Sequence, residues 1–301
     1  MEQIMLPEVR QRYEAMLTIA HDLGRLGNKL IRSDEVEIIT EFKADGSPVT
    51  TIDTTLNQQC IEDIEALYPG DLVWGEEASN SERGDLAAAD RNWVWLVDPI
   101  DGTRDLDRCL RNKTFFQNTS SFMMAGFAPG ETTPTIGVVY EAFNDYPNTV
   151  SANPEGTFYQ TKRAPRPIQI MWNEQGPQSL AEVKRFEENS HDTAEVDINV
   201  LRKIMPYARK IRTGSVGVAV ARHALGEIEL VAFSSPSNPH DMTPGAVIAH
   251  RAGSVVTNLR GEKYDEIDWR REKLAGFLAT PNQQLADDFF EHIDTSRLRA
   301  A

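Results

Sequence analysis

Apolar residues recur at helical spacing over residues 7–32, where Val9, Tyr13, Met16, Leu17, Ala20, Leu23, Leu26 and Leu30 form one stripe. That pattern predicts a long amphipathic helix. Residues 34–43 alternate and read as a strand pair or a loop, and Asp45-Gly46-Ser47-Pro48 is a turn signal. Helical spacing returns over 52–67 and is stopped by Tyr68-Pro69-Gly70. Two short strand-like runs, 71–74 and 93–97, flank a polar stretch over 78–91 that reads as a loop. Residues 120–128, 135–140, 149–151 and 156–159 then read as an antiparallel meander.

The second half alternates element types: strand 167–171, helix 180–189, strand 210–213, helix 216–225, strand 227–233, helix 242–252 and strand 254–257. Such alternation predicts a sheet covered by helices. The change of character places an α+β unit over 1–155 and an α/β unit over 156–301, meeting as a seam in one compact molecule.

Composition narrows the function classes. The chain has 301 residues, 40% of them hydrophobic, which excludes wholesale disorder. With 46 acidic against 31 basic residues the formal charge is −15, so no basic surface is expected for a nucleic-acid polymer. Two cysteines, Cys60 and Cys109, make no disulfide framework and read as small buried hydrophobes. Six histidines are dispersed with no His-x-x-x-His zinc pair, so oxygen ligands are the expectation for any metal. No signal-peptide pattern and no membrane-spanning run is seen, and a cytoplasmic setting is expected.

The acids matter through their positions. Trp93-Val94-Trp95-Leu96-Val97-Asp98-Pro99-Ile100-Asp101-Gly102-Thr103 is a buried strand with carboxylates at its C-terminal mouth, where open α/β sheets place ligands. Gly102 permits a tight turn, and a helix starting near Thr103 presents amides to an anion. Glu76-Glu77 follow the preceding strand; two adjacent acids need a cation beside them if either is buried. Asp53 and Asp241 each fall in the first turn of an expected helix. Read singly, each of these acids is a cap or a solvated face; read together, they suit magnesium, which favours hard oxygen donors.

On these residues the chain resembles the inositol monophosphatase family of magnesium-dependent, lithium-sensitive phosphatases. The resemblance rests on Asp45-Gly46-Ser47-Pro48-Val49-Thr50-Thr51-Ile52-Asp53, Gly75-Glu76-Glu77, Trp95 through Thr103, and His240-Asp241 with Gly245 and Ala252-Gly253. It implies a layered αβαβα sandwich and hydrolysis of a small phosphate monoester by water, with no covalent intermediate. It implies that Glu76, Asp98 and the carbonyl of Ile100 bind one magnesium, that Asp98, Asp101 and Asp241 bind a second, and that Glu77 supports the edge, with a third ion near Glu76. It further implies that Asp53 and Thr103 orient and deprotonate the attacking water, with Glu76 among the catalytic residues, and that the amides of Gly102 and Thr103 grip phosphate. Homodimers are common in that family; nothing in these residues shows one.

The departures bear on substrate. His240 stands where the family usually has Trp and reads as a packing substitute. Ser234 stands where members acting on inositol phosphate often carry an acid for sugar hydroxyls, which weakens that substrate. Arg104 and Arg212 are candidate contacts to a phosphate or a second anionic group, or surface and structural residues. Adenosine 3′,5′-bisphosphate, histidinol phosphate and fructose 1,6-bisphosphate therefore stay open as substrates of relatives of the same fold. Acids at 98 and 101 lack the Asp-x-Asp spacing of haloacid-dehalogenase phosphatases. Gly214-Ser215-Val216-Gly217 is no dinucleotide fingerprint. A catalytically idle scaffold is disfavoured because Asp53, Glu76, Asp98, Asp101 and Asp241 are all present.

Overall fold

Helix α1 (Pro7–Ile31) buries the expected stripe, Val9, Tyr13, Met16, Ala20 and Leu23 together with Ile19 and Ile31. Gly24 lets it lie directly on the sheet: a Cβ there would sit 2.4 Å from the Tyr140 ring. The computed structural model describes residues 5–33, 38–43, 48–77, 86–114, 118–172, 176–189, 197–234, 237–271 and 273–295. The expected turn at Asp45-Gly46-Ser47 and most of the loop expected over 78–91 lie outside these.

In chain order follow β1 (Thr40–Phe42), β2 (Pro48–Thr50), α2 (Thr51–Leu67), β3 (Leu72–Gly75), α3 (Leu86–Ala89), β4 (Val94–Asp101), α4 (Thr103–Asn112) and β5 (Ser121–Phe127). Then come β6 (Ile136–Glu141), β7 (Asn148–Asn153), β8 (Gly156–Thr161), β9 (Ile168–Ile170), β10 (Arg185–Asn189), α5 (Leu201–Ile204), β11 (Arg209–Lys210), α6 (Val216–Ala224) and β12 (Leu230–Phe233). The chain ends through α7 (Pro239–Arg251), β13 (Val255–Thr257), β14 (Phe277–Thr280) and α8 (Gln283–His292).

A seven-stranded sheet runs β3-β4-β5-β6-β7-β8-β9, with only the β3–β4 pair parallel. A five-stranded sheet runs β11-β10-β12-β14-β13. One face of the larger sheet packs on α1 and α2 through Trp95, Val97, Met124 and Val138. Its other face meets α6 and α7, and these also cover the smaller sheet, joining Leu96, Ala219, Ala246, Val231 and Trp269 in one cluster. The far side of the smaller sheet is closed by α8 and a 3₁₀ turn at Leu180–Glu182. The layers read helix, sheet, helix, sheet, helix, as expected. Trp95 is fully buried at the centre, and truncating such a side chain to Ala costs about 3–5 kcal/mol. Among the described residues no helix is long and apolar enough to cross a membrane.

Three expectations are corrected. The helix expected over 180–189 is a 3₁₀ turn followed by strand β10, which pairs in parallel with both β11 and β12. Leu180, Val183 and Phe186 mimic helical spacing, yet they reach the same apolar cluster from a turn and a strand. The strand expected over 227–233 begins only at Leu230, because Gly226 and Glu227 donate back to His223 and Arg222 at the end of α6. The seam expected between 155 and 156 falls inside the β7–β8 hairpin, and β9 still belongs to the first sheet; the change of sheet comes between β9 and β10.

Candidate active site

The site is built at a defect in β4. A regular strand would send residues 98 and 101 to opposite faces, because side chains alternate. Pairing with β5 runs in register to Asp98↔Met123 and resumes at Asp101↔Ser121, so β4 carries one residue more than its partner. This bulge, at Pro99-Ile100, breaks the alternation and re-aims the strand end. The strand expected to stop at 97 continues through its own acids. Gly102 follows with φ +88°, and a Cβ there would lie 2.8 Å from the carbonyl oxygen of Gly214, so only glycine closes the turn into α4.

Four carboxylates gather here. Asp98 lies on β4, its Oδ1 accepting the Ile100 N–H at 3.0 Å. Burial, then the charges of Glu76, Asp101 and Asp241, hold its carboxyl well above the ordinary range. Asp241, in the first turn of α7, is raised in the same way by burial and by Glu76 and Asp101. Asp101 accepts from Ser215 Oγ at 2.6 Å and from the Gly217 N–H at 2.7 Å; burial nonetheless pushes it up to about 6. Burial would also raise Glu76, but the fields of His240 and Lys43 outweigh it and hold that carboxyl low.

Lys43 answers the adjacent acids: its Nζ lies 2.7 Å from Glu76 Oε1 and 2.7 Å from Glu77 Oε1. Among the described residues, one ammonium serves these carboxylates, and Asp98 and Asp241 remain raised by burial and by their neighbours' charge, so the site is deficient in positive charge. All the acidic donors are hard oxygens, the set that suits magnesium, so the residues present fit that ion. One donor atom each of Glu76, His240 and Asp241 also lies within 4.8 Å of the others.

Beside the acids stands a hydroxyl–carboxylate pair. Thr103 Oγ1 is 2.9 Å from Asp53 Oδ1 and 2.9 Å from the carbonyl oxygen of Ile100. Asp53 Oδ2 meanwhile accepts from the N–H (2.8 Å) and hydroxyl (2.5 Å) of Thr50, closing a capping box at the start of α2. Burial pushes Asp53 up to about 6 against these hydrogen bonds.

A cleft of about 870 Å³ opens from Asp101 between α4 and the β10–β11 edge. Arg104, Arg108, Arg111, Arg202, Lys210 and Arg212 line it, an unusual concentration of cations in a chain of net charge −15. Arg108 pairs with Asp105, Arg111 with Asp107 at 2.9 Å, and Arg202 and Lys210 both with Glu188. Arg104 and Arg212 are exposed there, and no ion pair to either is found among the described residues.

Most expected site residues thus converge: Glu76, Glu77, Asp98, Ile100, Asp101, Thr103, Asp53 and Asp241 on the acid pocket, Gly102 at its helix start, Arg104 and Arg212 in the adjoining cleft. Ser234 does not line the cleft. It is buried, 1% exposed, and its neighbour Phe233 reaches the cleft wall instead. His240, expected as packing, is buried at 2% exposure but aims its ring at the acids, Nε2 lying 3.4 Å from Asp241 Oδ1. Sequence reasoning missed Lys43 and Ser215. The only signal for Lys43 was the adjacent Glu76-Glu77 pair, which required a cation without saying which.

Comparison with known proteins follows the same lines. The model of the inositol monophosphatase family matches residues 10–296. Inositol monophosphatase 1 of Solanum lycopersicum is 25% identical over 288 residues, covering 94% of this chain and 96% of that protein. The 3′(2′),5′-bisphosphate nucleotidase CysQ of Escherichia coli (strain K12) is 28% identical over 227 residues, covering 74% of this chain and 81% of its own. A crystal structure of an IMPase/NADP phosphatase complexed with Mg2+ and phosphate shares the fold, with a TM-score of 0.72 at 20% identity, over 98% of this chain and 97% of that one.

Proposed function

The chain belongs to the inositol monophosphatase family, a family of phosphatases, and from that premise we propose that it hydrolyses a small phosphate monoester in a magnesium-dependent reaction at the Asp98 pocket. Glu76, Asp98 and the Ile100 carbonyl would hold one ion and Asp98, Asp101 and Asp241 a second, with Glu77 supporting the edge and a third ion near Glu76. When bound, magnesium offsets charge on the transferred group and acidifies a water.

The chain's own groups do the rest. The Thr103 hydroxyl, 2.9 Å from Asp53 Oδ1, donates to that carboxylate, and its lone pairs orient the water. The proton passes toward Asp53, whose carboxyl, pushed up to about 6, is suited to receive it near neutral pH. The amides of Gly102 and Thr103, opening the ten-residue helix α4, hold the phosphate oxygens.

The observation carrying this reading is the Thr103–Asp53 pair at 2.9 Å standing beside the converging carboxylates. Phosphate release across a panel of monoesters, with and without EDTA and beside Asp98→Asn, tests it. Turnover that ignores EDTA, or full activity of Asp98→Asn, overturns it.

A second reading concerns the substrate. Arg104 and Arg212 at the cleft favour a substrate carrying another anionic group, as in a bisphosphate, over inositol phosphate. The same panel decides this from the ratio of kcat/KM values for bisphosphorylated and neutral-alcohol monophosphate substrates.

A further inference from the structure

We propose that His240 is a direct nitrogen ligand of the third ion, the one near Glu76, which Asp241 also reaches, giving that position a preference for a first-row transition ion such as manganese over magnesium. This rests on the reading of the pocket as a metal centre.

His240 and Asp241 are consecutive residues in the first turn of α7, where helical geometry rotates neighbouring side chains by about 100°. They converge all the same. His240 Nε2 lies 3.4 Å from Asp241 Oδ1, and donor atoms of Glu76, His240 and Asp241 fall within 4.8 Å of one another. Two ligands about 2.1 Å from a common ion are separated by roughly 3–4.2 Å, so these donors close on one ion with sub-ångström adjustments. The imidazole is 2% exposed, so it reaches the acids from the core side as a fixed wall rather than as a surface group passing by.

The donor chemistry then sets the preference. Carboxylates serve magnesium and manganese alike, whereas imidazole is a poor partner for magnesium and a good one for transition ions. A single nitrogen among oxygens therefore tilts the site without abolishing magnesium binding. The rival account is that the imidazole only donates a hydrogen bond to Asp241 and positions it. The two differ in whether nitrogen touches the ion.

Pulsed EPR of the full chain loaded with one equivalent of Mn2+ separates them. Unlabelled protein is expected to show a 14N hyperfine coupling, replaced by 15N coupling when the histidines are 15N-labelled. Calorimetry gives the second arm: His240→Gln is expected to weaken Mn2+ binding by about 10–100-fold and Mg2+ binding by less than about threefold. Bound Mn2+ without histidine coupling, or an equal loss for both ions, overturns the proposal and leaves the metal centre standing. Failure of wild type to bind Mn2+ overturns both. The spectrum is read on the unmutated chain, so poor folding of the variant does not blunt the test.

Discussion

Two groups of buried acids, one lining the cleft from β10 and one at the pocket next to Asp101, are managed in opposite ways. On β10, Glu188 is paired with Arg202 and Lys210, and Glu187 accepts from the N–H and hydroxyl of Thr213. Beside the end of β4, Asp98 and Asp241 are raised by the charge of Glu76, and among the described residues Lys43 pairs with Glu76 while His240 lies beside Asp241. The first group is answered by two cations and by Thr213, although one oxygen of each carboxylate is buried without a hydrogen bond among the described residues. The second is electrostatically unfinished, and its missing positive charge is the ground for reading it as a cation site. Counting acids would have ranked the two alike; counting the groups that answer them does not.

The sharpest way to break this contrast is at Asp98. Asp98→Asn is expected to lower kcat by about 10²–10³-fold or more, measured as phosphate release at saturating magnesium. The metal-free variant is expected to melt no lower than metal-free wild type, because a repelled charge has been removed. A large loss of metal-free stability would mean that Asp98 belongs with the β10 acids.

Next in size is the response to pH and metal. Asp53 and Asp101 are pushed up to about 6 from 3.8, and Glu187 to about 7 from 4.5, in each case chiefly by burial. An acid with a higher folded than unfolded pKa contributes stability below the unfolded value and loses it as pH rises through the folded one. Metal-free protein is therefore expected to melt higher near pH 5 than near pH 7. Saturating magnesium should narrow that gap by lifting the pH 7 end, by about 2.7 kcal/mol at a hundred times Kd. Calorimetric melts at both pH values, with and without the ion, check the sign.

Breaking the β10 group gives a smaller effect of another kind. Glu188→Ala is expected to cost about 1–2 kcal/mol in denaturant titration, discounted because Arg202 and Lys210 can turn to water. Activity per folded molecule should change little. The smallest effect is expected at the cleft mouth: Arg104→Ala or Arg212→Ala should raise KM for a doubly anionic substrate by about 3–10-fold, leaving kcat near wild type and a singly phosphorylated neutral alcohol nearly unaffected.

The acids of the pocket were legible in the sequence because local rules place them: a strand end, a helix start, a turn that only Gly102 can make. The string from Asp98 to Thr103 carries its geometry within itself. Lys43 and Ser215 were not legible, because each acquires its role by meeting a residue far away in the chain, Glu76 for one and Asp101 for the other. His240 was read as packing, and no local rule turns a buried imidazole toward an acid. Residues 180–189 failed for a different reason. Leu180, Val183 and Phe186 fit a helical period, and only pairing with β12 shows that the backbone there is extended.

The two oxygens of Asp53 have separate employments, one in the cap of α2 and one on Thr103. A lineage that stopped using this pocket would still lose fold integrity by discarding that residue, so selection would go on retaining it. Asp98, repelled by its neighbours and bonded only to the Ile100 N–H close by in the chain, carries less such protection and would drift sooner. For judging whether a diverged copy of this chain still works, position 53 is a poor witness and position 98 a good one.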